Sequence, residues 1–192
     1  MPAHSLYILQ PLNIGLIKQL IGRGVNYNEV ELQVKAAGIN FRDIMSSMGL
    51  LPVTGIGQEA SGIVDRTGGQ GAKSLKPGDR VSTLTVGGTH TTKIRCDYRV
   101  AQKIPDAMSF EEAAGVPVVH CTAYYALVRL AKLRRGQSVL IHAAAGGTEE
   151  AAVQLAKHMG LVVYATVGTE DKSAHHRGVW HSRGAHFQLA RR

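Results

Sequence analysis

The chain has 192 residues, of which 44% are hydrophobic and 22 are glycine, so its composition excludes a disordered chain and it is long enough to bury a core. The formal net charge is +8, but residues 173–192 hold four arginines and no acidic residue, and aromatic residues make up only 5% of the chain. Basic charge gathered at one end, with few rings for stacking on bases, predicts no specific nucleic-acid partner.

The first part of the chain, up to about residue 105, predicts a small β-barrel. Apolar and polar residues alternate with the period of a half-buried strand, and the strands are separated by turns rich in glycine and proline. The predicted strands cover residues 30–36, residues 59–65, a segment that begins near residue 81, and residues 98–104. A short helix is predicted over residues 40–48 and ends at Gly49.

Beyond Pro105 the pattern changes from strand to helix. Ser109 and Glu112 have the spacing of a capping box, and an amphipathic pattern continues to about Leu133 with a bend at Pro117. A strand over 137–142, a helix over 147–159 and a strand over 161–167 then follow in βαβ order, which predicts a parallel sheet. The fold class is therefore α/β with a β-barrel. We place the barrel at residues 1–105 and a partial Rossmann (parallel βαβ) domain at residues 106–172.

The turn between the predicted strand and helix of this βαβ unit is similar to a dinucleotide-binding turn. Gly146 and Gly147 would let backbone amides approach a pyrophosphate at the positive end of the helix. Glu149 stands where the last glycine of such a turn is expected, and Glu150 follows it. Two interpretations remain open: the carboxylates face the pyrophosphate and repel it, or they point to solvent, where acidic residues favour the helix dipole.

Cysteine content and hydropathy predict the compartment. Cys96 and Cys121 are too few for a disulfide framework and indicate free thiols in a reducing cytoplasm. The most apolar stretch, residues 113–128, is interrupted by polar residues and is too short to span a bilayer, so we expect no membrane association.

Five motifs occur in order along the chain. They are Asn40-Phe41-Arg42-Asp43, Gly57 to Val64, Pro77-Gly78-Asp79-Arg80-Val81, Pro117 to Leu127, and Val139 to Gly147. Together they resemble the enoyl reductase domain of fungal highly reducing polyketide synthases, in the quinone-oxidoreductase-like branch of the medium-chain dehydrogenase/reductase superfamily. The resemblance covers about residues 28–172 and implies a GroES-like barrel followed by a Rossmann domain.

The resemblance also implies an activity. It is the NADPH-dependent reduction of an α,β-unsaturated thioester, with hydride added at the β-carbon and a proton at the α-carbon. The substrate would be bound to an acyl carrier protein or linked to coenzyme A. The partner would be a polyketide synthase, with the chain acting in trans or as part of the synthase. The resemblance also allows the chain to form a homodimer. The alternative is a non-catalytic protein that associates with a synthase or dimerises.

The same resemblance assigns the site residues. Asn40 and Asp43 match positions beside the nicotinamide pocket and are the catalytic candidates together with Lys172. The cofactor-binding candidates are Ala145, Gly146, Gly147, Thr148, Thr169 and Lys172. No metal is expected, because Gln58 stands where zinc-dependent relatives carry a histidine. On the residues alone, Asn40 to Asp43 could instead be a helix start that caps itself, and Lys172 a solvated turn residue.

Residues 173–192 depart from this family. They lack apolar periodicity, and when read one base later with suitable synonymous codons they encode Tyr-Gly-Ile-Pro and Ile-Phe-Asn-Ser-Arg-Asp segments that the family has at this place. We therefore interpret them as an out-of-frame, unstructured basic tail, and we expect the chain to be a truncated two-domain reductase whose activity is impaired.

Overall fold

Residues 24–51, 55–85, 88–167 and 185–189 are described by a computed structural model. The chain divides into two units, Met1–Pro117 and Val118–Arg192. The division falls at Pro117 rather than near residue 106, because the helix that follows residue 109 packs against strands of the first unit.

The first unit contains a five-stranded antiparallel sheet with the order β4-β1-β2-β3-β5. The strands are β1 (Glu29–Ala37), β2 (Glu59–Thr67), β3 (Arg80–Leu84), β4 (Lys93–Asp97) and β5 (Ala101–Lys103). Register shifts between Glu31 and Leu32 and between Val34 and Ala36 mark irregularities in the pairing of β1 with β2. Such bulges bend a strand and increase its twist, as a curled sheet requires.

One face of this sheet encloses an apolar core. Its fully buried members are Val30, Leu32, Ala60, Val64, Leu75, Val81, Ile94, Cys96 and Ala101. The strands predicted over residues 30–36 and 59–65 are confirmed. The in-and-out alternation predicted for 30–36 holds only in part, because Glu31 is buried between Val30 and Leu32. The predicted strand over 98–104 is shorter than expected, since Tyr98–Val100 forms a 3₁₀ turn and only Ala101–Lys103 pairs with β3. Strand β4 was not predicted.

Two short α-helices lie among the described residues of the first unit. Helix α1 (Phe41–Ser47) lies within the predicted span. Helix α2 (Phe110–Ala114) begins at the predicted capping box, in which Ser109 N–H donates to Glu112 Oε2 at 2.8 Å and Glu112 N–H donates to Ser109 Oγ at 3.1 Å. Helix α2 packs on β1, β2 and β3, and the hydroxyl of Ser61 donates to the Phe110 carbonyl.

The helical pattern predicted from residue 109 to about Leu133, with a bend at Pro117, is interrupted in the structure just before Pro117. The helical residues end at Leu130. After α2 ends at Gly115, helix α3 (Pro117–Tyr124) begins at a proline, which is favoured at a helix start because it lacks an N–H to donate. A π-helical segment, Tyr125–Leu130, continues from it. Within the described residues, no helix is both long enough and apolar enough to cross a lipid bilayer.

The second unit contains a three-stranded parallel sheet with the order β6-β7-β8. Strands β6 (Ser138–Ile141) and β7 (Val162–Val167) flank helix α4 (Gly147–His158), so the predicted βαβ unit is confirmed. Its buried core is formed by Leu127, Ile141, Ala144, Val153, Ala156, Leu161, Val163, Ala165 and Val167.

Strand β8 (Ala185–Leu189) pairs in parallel with β7. It lies inside the predicted unstructured tail, so that prediction does not hold for these residues. Their backbone groups complete hydrogen bonds along the open edge of β7, where unpaired groups would otherwise remain. The rest of the predicted tail lies outside the described residues.

Candidate functional site

The carboxylate of Asp43 joins two segments of the first unit. Asp43 is in the first turn of α1, and its residue is only 5% exposed. Its Oδ2 accepts a hydrogen bond from the Asn40 N–H at 2.8 Å, and its Oδ1 accepts one from the Gly57 N–H at 2.8 Å. Both carboxylate oxygens therefore accept hydrogen bonds from backbone N–H groups, and these bonds fix the start of α1 against the turn at Gly57. The structure supports the self-capping interpretation for Asp43.

The side chain of Asn40 points to a buried carboxylate. Asn40 Nδ2 donates to Glu59 Oε1 at 2.9 Å, and Glu59 is the first, buried residue of β2. Gly38 leaves room for this contact, because a Cβ at residue 38 would lie 2.5 Å from Glu59 Oε1. The amide of Asn40 is thus oriented by a partner that is distant in sequence. This hydrogen bond fixes the orientation of the Asn40 amide at the N-terminus of α1.

His90 supports the same segment from another loop. Its Nε2 lies 3.1 Å from the Gly38 carbonyl oxygen. Sequence reasoning assigned no role to Glu59 or His90. The signal for Glu59 was present in Gly57-Gln58-Glu59, where a carboxylate opens a strand of buried residues and must find a hydrogen-bond partner there.

The candidate nucleotide-binding turn connects β6 to α4. Gly146 is the residue that precedes the first turn of α4, with φ −85° and ψ 155°, and Gly147 is the first residue of the helix. The structure places Ala145, Gly146, Gly147 and Thr148 together at this helix start. Amides at the start of a helix point towards an incoming anion. Thr169 and Lys172 lie outside the described residues.

Thr166 of β7 braces this turn. Its hydroxyl oxygen lies 3.1 Å from His142 Nδ1 and accepts a hydrogen bond from the Ala143 N–H at 3.3 Å. Its carbonyl oxygen accepts a hydrogen bond from the Ala144 N–H at 2.9 Å. These contacts hold Ala143 at φ 53°, in the left-handed region that an alanine rarely occupies. Sequence reasoning missed Thr166, since its contacts lie on the neighbouring strand.

Glu149 is folded back over the turn. Its Oε2 lies so close to Gly146 that a Cβ attached to that residue would clash with it. In the spacing G-x-G-x-x-G, positions 144, 146 and 149 correspond to the three glycines, and the second one allows the backbone to approach the pyrophosphate. The geometry favours the interpretation in which Glu149 faces the phosphate position. The glycines and the helix start fit a pyrophosphate, but the Glu149 carboxylate narrows the space beside Gly146 that such a group would enter.

The presence of metal ligands can be judged for the described part of the chain. It contains no group of three or more His, Cys, Asp or Glu side chains placed to hold a metal ion.

Comparison with known proteins gives a family and several relatives. The alcohol dehydrogenase GroES-like domain family matches residues 26–133. The reducing polyketide synthase rads1 of Floropilus chiversii is 83% identical over 147 residues, which cover 76% of this chain and 6% of the synthase. The reducing polyketide synthase rdc5 of Metacordyceps chlamydosporia is 74% identical over 168 residues, which cover 83% of this chain and 7% of the synthase.

Solved structures give the same result. CurK enoyl reductase is 33% identical with a TM-score of 0.79, over 88% of this chain and 54% of that chain. The Escherichia coli quinone oxidoreductase complexed with NADPH is 32% identical with a TM-score of 0.71, over 88% of this chain and 52% of that chain. The chain thus spans a small part of the synthases and about half of these structures. The predicted GroES-like fold and the resemblance to enoyl reductases of reducing polyketide synthases are confirmed.

Proposed function

We propose a function on one premise: the chain belongs to the family of the alcohol dehydrogenase GroES-like domain. The proposed function is NADPH-dependent reduction of an α,β-unsaturated thioester during polyketide assembly. One observation carries it. A curled antiparallel sheet with α1 and a parallel βαβ unit with a glycine turn occur in this chain, and the chain is similar to CurK enoyl reductase with a TM-score of 0.79.

The proposed substrate class follows from the relatives. Identities of 74% and 83% to reducing polyketide synthases support an enoyl thioester bound to an acyl carrier protein, or its analogue linked to coenzyme A. The proposed partner is a polyketide synthase, and a homodimer is included in the proposal. A cytoplasmic location is proposed because Cys96 and Cys121 are both free thiols, as a reducing compartment favours.

The tasks of the residues divide between the two units. In the first unit, Asp43 acts as a positioning residue that holds the start of α1, and Asn40 presents its amide beside the nicotinamide pocket. In the second unit, Ala145 to Thr148 form the pyrophosphate turn. Thr169 and Lys172 are proposed to meet the 2′-phosphate, with Lys172 also assisting catalysis. A reduced nicotinamide, when bound, supplies hydride.

The proposed function is tested with a crotonyl thioester of pantetheine or coenzyme A. The purified chain and its Glu149→Gly variant are mixed with NADPH or NADH, and reduced coenzyme is followed by absorbance while mass spectrometry identifies the butyryl product. We expect coenzyme consumption in proportion to thioester, faster with NADPH than with NADH and faster in the variant. If neither chain reduces the thioester or binds a coenzyme, the proposal is wrong. Binding to a synthase without reduction would then favour the non-catalytic alternative.

A further inference from the structure

We propose that the Glu149 carboxylate lies over Gly146 in the nucleotide-binding turn, and that it thereby weakens the binding of a dinucleotide. The inference rests on the proposed function, since it concerns the same turn. It goes further by assigning to one side chain the control of cofactor affinity. The carboxylate over Gly146 and a pyrophosphate oxygen would have to lie in the same place.

The steric part of the argument concerns Gly146. A residue without a side chain at the second position of the turn leaves space through which phosphate oxygens reach the backbone. Glu149 narrows that space, because its Oε2 would clash with a Cβ on Gly146 and its Cδ lies 3.3 Å from the position of that Cβ. A glycine at residue 149 would leave the space open.

The electrostatic part concerns the start of α4. The N-terminal end of a helix carries partial positive charge, which attracts an anion. The Glu149 carboxylate lies in the first turn of α4 and is folded back towards Gly146, so a negative charge is already present at this end of the helix. A pyrophosphate entering the turn would meet a like charge at close range, where the repulsion is strong even in a moderately polar surrounding.

Glu150 provides a matched control. It is the next residue, carries the same formal charge and also lies in the first turn of α4. Neutralising either glutamate changes the charge of the chain equally, but only Glu149 covers Gly146 in the structure. A difference between the two positions therefore reports the position of the carboxylate and not the overall charge.

The test is a fluorescence titration of NADPH against the full chain at fixed ionic strength, with Glu149→Gly, Glu149→Gln and Glu150→Gln in parallel. We expect Glu149→Gly to bind at least about 30-fold more tightly than the unmodified chain, Glu149→Gln to gain less because it retains the volume, and Glu150→Gln to stay within about threefold of the unmodified chain. Glu149→Gln keeps most of the volume and removes the charge, so it separates the two parts of the argument. Circular dichroism confirms that each variant is folded, and Glu149→Gln serves if the glycine variant is not.

The other outcomes overturn the inference in distinguishable ways. Equal micromolar binding by all four chains would show that Glu149 does not occupy the turn and would leave the proposed function standing. An equal gain in both glutamine variants would assign the effect to net charge. If no folded chain binds NADPH or NADH, the proposed function fails, and the inference fails with it.

Discussion

At the scale of single residues, Gly57 combines a backbone requirement with a steric one. Its φ of 91° lies in the left-handed region, and its N–H is the donor that reaches Asp43 Oδ1. A Cβ at this position would collide with Thr89 Oγ1 and lie 2.7 Å from His90 Cδ2. Gly78 has nearly the same backbone, with φ of 92°, but no atom lies within 4 Å of its missing Cβ.

These two glycines give a matched prediction. We expect Gly78→Ala to lower the free energy of unfolding by about 1 kcal/mol, the cost of the left-handed backbone alone. Gly57→Ala adds a steric collision and should lower it by about 3 kcal/mol or more. Urea unfolding followed by circular dichroism measures both. Equal losses at the two positions would show that Thr89 and His90 move aside without cost.

The site residues show which contacts a sequence can predict. The bond from the Asn40 N–H to Asp43 spans three residues, and the self-capping pattern predicted it. The bonds from Asp43 to Gly57 and from Asn40 to Glu59 span 14 and 19 residues, and no local pattern contains them. Thr166 reaches His142 across 24 residues in the same way. The contact within three residues was therefore predictable, whereas the contacts with distant partners depend on strand pairing.

At the scale of elements, strand β4 shows how charge conceals a strand. Lys93 and Arg95 lie on the face of β4 opposite the apolar core, and two basic residues in five are unusual for a predicted strand. The structure explains them, because Glu31 of β1 accepts hydrogen bonds at 2.8 Å from Arg95 Nε and from Arg66 of β2. The side chains of Glu31 and Arg95 are 4% and 3% exposed. Three strands are thus joined by one buried carboxylate.

The acid stability of the sheet should depend on Glu31. Burial raises the pKa of this carboxyl, but hydrogen bonds from Arg66 and Arg95 outweigh burial, so its pKa is lowered from the ordinary 4.5. The unfolded chain then binds the proton more readily. The stabilisation is present above about pH 4.5 and is lost as the pH falls through the lowered pKa of the folded state.

The corresponding variant is Glu31→Gln. At pH 7 we expect it to lose about 3 kcal/mol of unfolding free energy, because the buried guanidinium of Arg95 loses its carboxylate. Between pH 5 and pH 3 the variant should lose less additional stability than the unmodified chain. Asp65→Asn is the control, since the Asp65 side chain is 41% exposed in its pair with Lys93 and should cost less than about 1 kcal/mol. An unchanged acid profile in Glu31→Gln would contradict the assignment.

The parallel sheet shows the other limit of prediction. Strand β6, helix α4 and strand β7 were predicted to within a residue or two of each end, because each has a local apolar pattern. Strand β8 was not predicted, although Ala185, Phe187 and Leu189 alternate with two polar residues as in a half-buried strand. This short pattern lies in a segment that was interpreted as an unstructured tail, and the strand is recognised only through its pairing with β7.

At the scale of the whole molecule, each of the two units contains one cysteine. Cys96 lies on β4 in the core of the first unit, and burial raises the pKa of its thiol to about 11. Cys121 lies on α3 in the second unit and is exposed. Because the thiolate is the reactive form, about one in a thousand Cys96 thiols would be ionised at pH 8, and the core also blocks access to reagents.

The two thiols should therefore report on the units separately. In the native chain at pH 8, a disulfide reagent such as Ellman's should titrate one thiol rapidly, and the second should react only after urea unfolds the first unit. Cys121→Ser should remove the rapid phase, whereas Cys96→Ser should leave it and remove the slow phase. Monitoring the slow phase against urea concentration gives the opening of the curled sheet without a signal from the βαβ unit. Two rapid thiols in the native chain would show that the core around Cys96 is open to solvent, and a slow Cys121 would show that α3 is covered in solution.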